Sequence, residues 1–444
     1  MDIGCDKLNQ SEYLKIAIPF MLSTLTQPLL GIVDTAVVGR MESPIFIGGV
    51  SIGVTIFNTL YWLFGFLRVS TTSCSAQSIG SGNQKEKVES FIHPFIIAIT
   101  VGLVFILMKD IIWTFAMKIL APERLVMDQS HIYYNTLIYG APIVFVNYVI
   151  LGWLMGQSKV KESVIIQVVG NIVNIVLDIL LVWNFGMKVN GVAIATLFSQ
   201  IFTLVLGIRF MFSSSGFKCK DILNKNILDK KEIFKKILIN SDFIIRTICL
   251  LIVNNMFMAT SSSFGTEVLA ANTIILQLES VISYLFEGLA NASSVFAGKA
   301  VGNKNSSLLR NTIKITFKWS FIFMILLTIL YIIFRDSCLF LFTSIEEVII
   351  NVKIYDFWIV IYPCVACMGL TFYGVFTGAM ETKAIRNSTF LSMMLFIITL
   401  KITVPIFKNH GLWFAFLTYY FGRTVFLLIY LRKLKSDVKE KAAI

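Results

Sequence analysis

Asp34 and Asp178 are carboxylates set inside apolar runs long enough to cross a bilayer, each about five residues short of the run's outer end. An ionised side chain at that depth costs several kcal/mol unless it faces a cavity or a partner, so it marks a functional site. Asn171, Asn174 and Asp178 are spaced i, i+3, i+7, which aligns them on one helix face. Thr196 lies about five residues into the next run, which returns inward, and so reaches the same depth. The set joins carboxylate, amide and hydroxyl oxygens with no fixed cation nearby. A carboxyl withdrawn from water favours its protonated form and can carry a proton. Alternatively, hard oxygen donors replace the hydration shell of a small cation such as Na⁺. Either way, Asp34, Asn174, Asp178 and Thr196 are expected to hold a coupling ion, H⁺ or Na⁺. Simple helix-to-helix hydrogen bonding would explain the asparagines and Thr196 more readily than the two acids.

Other polar residues lie at similar depths. Pro19 precedes Asp34 by fifteen residues in the same run and removes a backbone hydrogen bond, a candidate hinge. Glu279 and Glu287 share a later run and are candidates for substrate attraction or gating. Arg246 is a third such candidate, and Asn171 a fourth. Asp242 sits one turn before Arg246, so an i, i+4 ion pair is the plain expectation there.

These residues need membrane-spanning helices to position them. Hydrophobic residues make up 56% of the 444 and charged residues only 14%, which would leave a soluble domain with too much exposed apolar surface. Apolar runs of roughly 20 residues recur twelve times, near 15–38, 45–67, 91–112, 132–155, 163–183, 190–212, 241–263, 272–297, 314–334, 354–376, 388–407 and 412–432. The fold class expected is an all-α membrane protein of two six-helix bundles. With both termini in the cytoplasm, 26 of the 38 lysines and arginines fall on inner segments. That bias sets the orientation. It also accounts for the net charge of +12 by topology and attraction to lipid, without a nucleic-acid partner. The polar first fourteen residues and the long first run do not indicate a cleaved presequence. Seven scattered cysteines do not resemble a disulfide framework.

An offset of 222 residues brings the halves into register. Gln77-Ser78-Ile79-Gly80 falls on Lys299-Ala300-Val301-Gly302, and Gly152 and Gly156 fall on Gly374 and Gly378. Small residues at that spacing let helix backbones approach closely. Six spans return the chain to its starting side, so the repeats are parallel. The expected organisation is an N-terminal lobe over 1–212, a basic linker over 213–236 and a C-terminal lobe over 237–444. At the same offset Asp34, Asn174 and Asp178 become Met256, Phe396 and Leu400. The ion site therefore belongs to the first half alone.

The chain resembles the multidrug and toxic compound extrusion family, of the MOP superfamily, and its DinF-type bacterial branch in particular. The resemblance runs through Ile18-Pro19, Leu30-Gly31-Ile32-Val33-Asp34-Thr35-Ala36, Asn174 with Asp178, and Gly191-Val192-Ala193-Ile194-Ala195-Thr196. It continues through Arg246-Thr247, Glu267 to Asn272, Ser283 to Ala290 and Gly298-Lys299-Ala300-Val301-Gly302. It implies an antiporter of the bacterial inner membrane that expels organic, cationic or amphipathic compounds against inward H⁺ or Na⁺. Asp34, Asn174, Asp178 and Thr196 match the family's cation-site pattern, and Pro19 its bending proline. Glu287 departs from the aspartate usual in that branch, which bears on substrate preference. No cofactor is expected beyond the coupling ion, and the chain is expected to act as a monomer on small organic molecules. Two rivals remain: a lipid-linked oligosaccharide flippase, which would use Arg68, Arg246 and Arg423 to hold pyrophosphate, and a membrane-embedded transferase.

Overall fold

In lipid every backbone N–H and C=O must be satisfied within the chain, and helices achieve this segment by segment. The structure is a computed structural model that describes the backbone of residues 8–39, 44–215, 230–342 and 346–443. Side chains are described over 8–25, 45–213, 241–337, 339, 346–434 and 436. All regular structure among the described residues is helical: α1 (Gln10–Gly39), α2 (Pro44–Phe64), α3 (Phe66–Ser81), α4 (Gln84–Leu107), α5 (Lys109–Leu120), α6 (Arg124–Leu137), α7 (Ala141–Gly156), α8 (Val160–Asp178) and α9 (Lys188–Ser215). There follow α10 (Lys230–Ser262), α11 (Thr266–Gly302), α12 (Ser306–Phe342), α13 (Glu346–Tyr355), α14 (Phe357–Gly378) and α15 (Thr382–Ala443).

Ten helical segments among the described residues are long and apolar enough to span a membrane. One of them, Thr382–Leu434, has 53 residues. At 1.5 Å per residue it would measure ~80 Å, more than twice a bilayer core. It contains two of the expected spans, parted where Lys408 leaves helical geometry at φ 48°. With α1, whose backbone alone is described beyond residue 25, the twelve expected spans all fall on helical segments, some of them crossing from one helix to the next, as 45–67 does at Gly65, 91–112 at Met108 and 354–376 at Asp356.

The helices overrun the apolar runs. α11 and α12 have 37 residues each, because polar residues at their ends continue the same hydrogen-bond ladder. α3 is rich in buried Ser and Thr (Ser70, Thr71, Thr72, Ser73, Ser75, Ser78), so its hydropathy falls while its helix continues. Those small residues serve packing. A Cβ on Gly152 of α7 would strike the Arg68 carbonyl of α3, and one on Gly156 would strike that of Thr72. Gly374 of α14 stands in the same way against Ala290 O of α11, and Gly378 against Ser294 O. All four contacts repeat at the offset of 222 seen in the sequence, down to the carbonyl that each glycine meets.

The chain divides into two compact units, Leu25–Asn240 and Met1–Thr24 with Ser241–Ile444. The first 24 residues thus cluster with the second half of the chain. Within that unit α1 lies antiparallel on α11. Tyr13 Oη donates to Leu289 O at 3.1 Å and lies 2.8 Å from Ser293 Oγ, Met21 presses on Gly288, and Thr24 Oγ1 donates to Tyr284 O at 2.7 Å. The helix continues through Pro19 without interruption in its assigned bounds. The linker expected over 213–236 lies outside the described residues between 216 and 229.

Candidate functional site

α8 buries Ser163, Ile166, Gly170, Asn174 and Asp178, a stripe at steps of three or four residues. Asn174 is 3% exposed and Asp178 0%. Their i, i+4 spacing stacks one above the other on the buried face. Asn171 lies at the edge of that stripe, half-buried. α8 packs antiparallel on α9, with Gly170 against Thr203 and Leu181 against Gly191. That register sets Asp178 level with Ala195, one residue from Thr196, and Asn174 level with buried Ser199. Thr196 is half-buried and its hydroxyl donates to Val192 O at 3.0 Å, which leaves its oxygen free to accept or to coordinate. Asn174 Nδ2 is buried with no hydrogen-bond partner among the described residues.

Directly after Asp178 the helix widens into a π-helix over Ile179–Asn184, closed by Phe185 N–H to Leu180 O at 3.1 Å. Such segments turn side chains out of α register and recur at functional sites. Asp178 is thus the last α-helical residue before the change. No periodicity argument finds this, because the run reads as one uninterrupted apolar helix. Asp34 belongs to α1, and its side chain lies outside the described residues. So does that of Pro28.

The second unit carries a different polar system. Nearest the start of α11 are Asn272 and its partner Asn409, an amide pair at 2.7 and 3.0 Å, with Ser261 and the Trp413 indole on the same Asn272 side chain. Two turns along α11, buried Glu279 Oε1 accepts from Ser283 at 2.8 Å and from Tyr420 at 3.0 Å, and Tyr362 Oη lies 2.5 Å from Ser283 Oγ. One turn beyond Tyr420, Arg423 is 3% exposed and stands 5.7 Å from the Tyr419 ring and 5.8 Å from that of Tyr420. Arg246 covers the Tyr373 ring at 4.4 Å. Glu287 is half-exposed on the same helix as Glu279. In the first unit the position equivalent to Glu279 is Phe57, buried among Tyr61, Tyr133 and Tyr134. Conversely, Phe396 fills the place of Asn174 and is fully buried. Each half has made apolar what the other keeps polar.

One expectation fails. Asp242 does not pair with Arg246. Its Oδ1 takes Arg386 Nη1 at 2.7 Å and its Oδ2 takes the Thr382 hydroxyl at 2.6 Å, both from α15. Bidentate satisfaction by a neighbouring helix outcompetes a partner on the same one, since both carboxylate oxygens are engaged. Asp242→Ala should destabilise the unit by about 2 kcal/mol, because Arg386 loses its anion and Thr382 its acceptor. Thermal unfolding of the purified protein reads this. An unchanged midpoint would mean that the pair contributes nothing.

The first unit also contains an apolar groove of about 420 Å³, lined by Phe91, Phe95, Pro142, Ile150, Leu204 and Met211 among others. It offers no polar group to orient a ligand.

Comparison with known proteins assigns the family. The MatE family model matches twice, over residues 19–180 and 243–403, in step with the internal repeat. DNA damage-inducible protein F of Escherichia coli K12 is 31% identical over 407 residues, 90% of this chain and 87% of that protein. A probable multidrug resistance protein NorM of Thermotoga maritima is 22% identical, over 86% of this chain and 83% of its own. Among solved structures, an outward-facing multidrug resistance MATE family transporter of the MOP superfamily superposes with a TM-score of 0.89 at 20% identity, over 98% of both chains. A MATE crystal structure in a bent conformation gives 0.88 at 20% identity, over 99% of this chain and 98% of that one. With the family model covering most of its length in two copies, and a relative above 30% identity along nearly all of it, this chain belongs to the MatE family of multidrug efflux transporters.

Proposed function

We propose that the protein exports amphipathic organic compounds across the bacterial inner membrane in exchange for an inward-moving H⁺ or Na⁺. Asp178 and Asn174, with Asp34 and Thr196, take up the ion. Asn174 and Asp178, stacked and buried at the transition from α- to π-helix, are the observation that carries this reading. A buried carboxylate exchanges its charge state or its bound cation with a large change in local electrostatic energy, which is what a coupling site needs.

Ion and substrate act on one equilibrium between inward-open and outward-open states. An ion favouring one state weakens a substrate that favours the other, by the same factor in both directions. α1 runs from one unit into the other, with Gln10–Thr24 in one and Leu25–Gly39 in the other, and Pro19, whose ring removes a backbone hydrogen bond, is the position at which this reading places its bend. Both termini lie in the cytoplasm on this reading, and the working unit is the monomer.

Transport in proteoliposomes under separately imposed proton and sodium gradients tests the proposal. Efflux of an amphipathic dye should follow one gradient and ignore the other. Equal rates with neither, either or both gradients would remove the coupling mechanism.

A further inference from the structure

Arg246 and Arg423 are two guanidinium groups in the interior of one unit, and among the described residues neither forms an ion pair. Asp242, the carboxylate nearest Arg246 along the chain, is committed to Arg386 and Thr382. Glu279 lies within electrostatic reach of Arg423 but makes no direct ion pair with it among the described residues, its Oε1 being engaged by the Ser283 and Tyr420 hydroxyls. Arg423 Nε and Arg246 Nε are buried without a hydrogen-bond partner. What the guanidinium groups touch instead is aromatic: Tyr373 under Arg246, and Tyr419 and Tyr420 beside Arg423. Tyr419 lies within electrostatic reach of both arginines, and Tyr373 within reach of Arg423 as well as Arg246, so the two cations flank one cluster of tyrosines.

Ring faces attract a guanidinium, but more weakly than withdrawal from water opposes it. Two like charges in one low-dielectric space add repulsion. Such a pair is stable when an anion joins it, and planar guanidinium forks suit the two oxygens of a carboxylate or sulfonate. The tyrosine rings supply apolar, stackable walls for the body of the same molecule.

We propose that Arg246 and Arg423 form a binding site in the second unit for the oxyanion of an amphipathic, aromatic organic substrate, a carboxylate or sulfonate. The inference rests on the export reading above, yet concerns a separate unit and a separate charge. It places anionic amphiphiles among the compounds carried. Glu279 stands at the edge of the site, where its charge opposes the ligand and its protonation favours it.

The test is equilibrium binding to purified full-length protein in neutral detergent, with no gradient present, so it stands or falls apart from coupled export. Carboxyfluorescein and rhodamine 123 share a xanthene ring and differ in charge, and fluorescence anisotropy reports each. Carboxyfluorescein should bind. Arg423→Gln and Arg246→Gln should each weaken it tenfold or more, Arg423→Lys should lose less, and rhodamine 123 should bind the glutamine variants no worse than wild type. Arg246 is half-buried, so its variant keeps the test valid if Arg423→Gln fails to fold, which gel filtration will reveal. Anionic affinity unchanged within twofold in the folded variants overturns the proposal, as does wild-type protein that binds only the cation. Displacement of the dye by short-chain phosphatidylglycerol but not phosphatidylcholine also overturns it, by assigning the site to a lipid headgroup.

Discussion

Asp178→Asn is expected to abolish gradient-driven efflux, with a fall of at least about a hundredfold, equivalent to ~2.7 kcal/mol. The amide keeps the size of the side chain but can neither take up and release a proton nor neutralise a bound Na⁺. Asp178 is fully buried at the end of the α-helical stretch, so an isosteric neutral residue should fit without a cavity. The protein should therefore reach the membrane folded and still bind dye at equilibrium. Dye efflux from cells lacking their own pumps gives the loss, and gel filtration gives the folding. Full efflux by the variant would leave the buried acid with a packing role. Thr196→Ala should lie between the two extremes, because its hydroxyl is only half-buried and its proton is already donated to Val192 O.

What could be read beforehand follows from range. The alignment of Asn174 with Asp178 is a short-range fact of helical spacing, and burial on one face followed from it. The glycine pairs were legible as a repeat, although only the structure shows that each meets the equivalent carbonyl in its own half. Partners distant in sequence were not legible. Arg386 is 144 residues from Asp242, and spacing arguments see only the same helix, which is why Arg246 was given the wrong partner. The hydroxyls around Glu279 come from Tyr362 and Tyr420 in two later helices, and nothing local marks them. The π-helix after Asp178 is backbone geometry without a composition signal. α3 shows the opposite failure, where a Ser- and Thr-rich stretch looks like the end of a span but remains helical because small side chains fit the glycines of α7. The clustering of residues 1–24 with the second half reflects contacts across more than 250 positions, as between Tyr13 and Leu289.

Close helix approach carries the second large effect. Gly374→Ala should destabilise the second unit by about 3 kcal/mol or more, the upper range for overpacking, because the added Cβ meets a backbone carbonyl. The carbonyl of Ala290 and its neighbouring Cα belong to α11 and cannot rotate away, so α11 and α14 must separate along their length. Separation also loosens Gly378 from Ser294, and it shifts the helix that carries Glu279. The mirror substitution Gly152→Ala, against Arg68 O in the first unit, should cost a similar amount. Gly422→Ala is the contrast. Its nearest obstacle is Ser392 Oγ, 3.0 Å from where the Cβ would stand, and a hydroxyl can move. That change should cost less than about 1 kcal/mol. Thermal unfolding followed by fluorescence-detected gel filtration ranks the three. A Gly374→Ala protein that melts with the wild type, or later than Gly422→Ala, would show that the close approach of the helices does not depend on the glycine's missing side chain. The repeat would then be a relic of sequence duplication without a common packing rule.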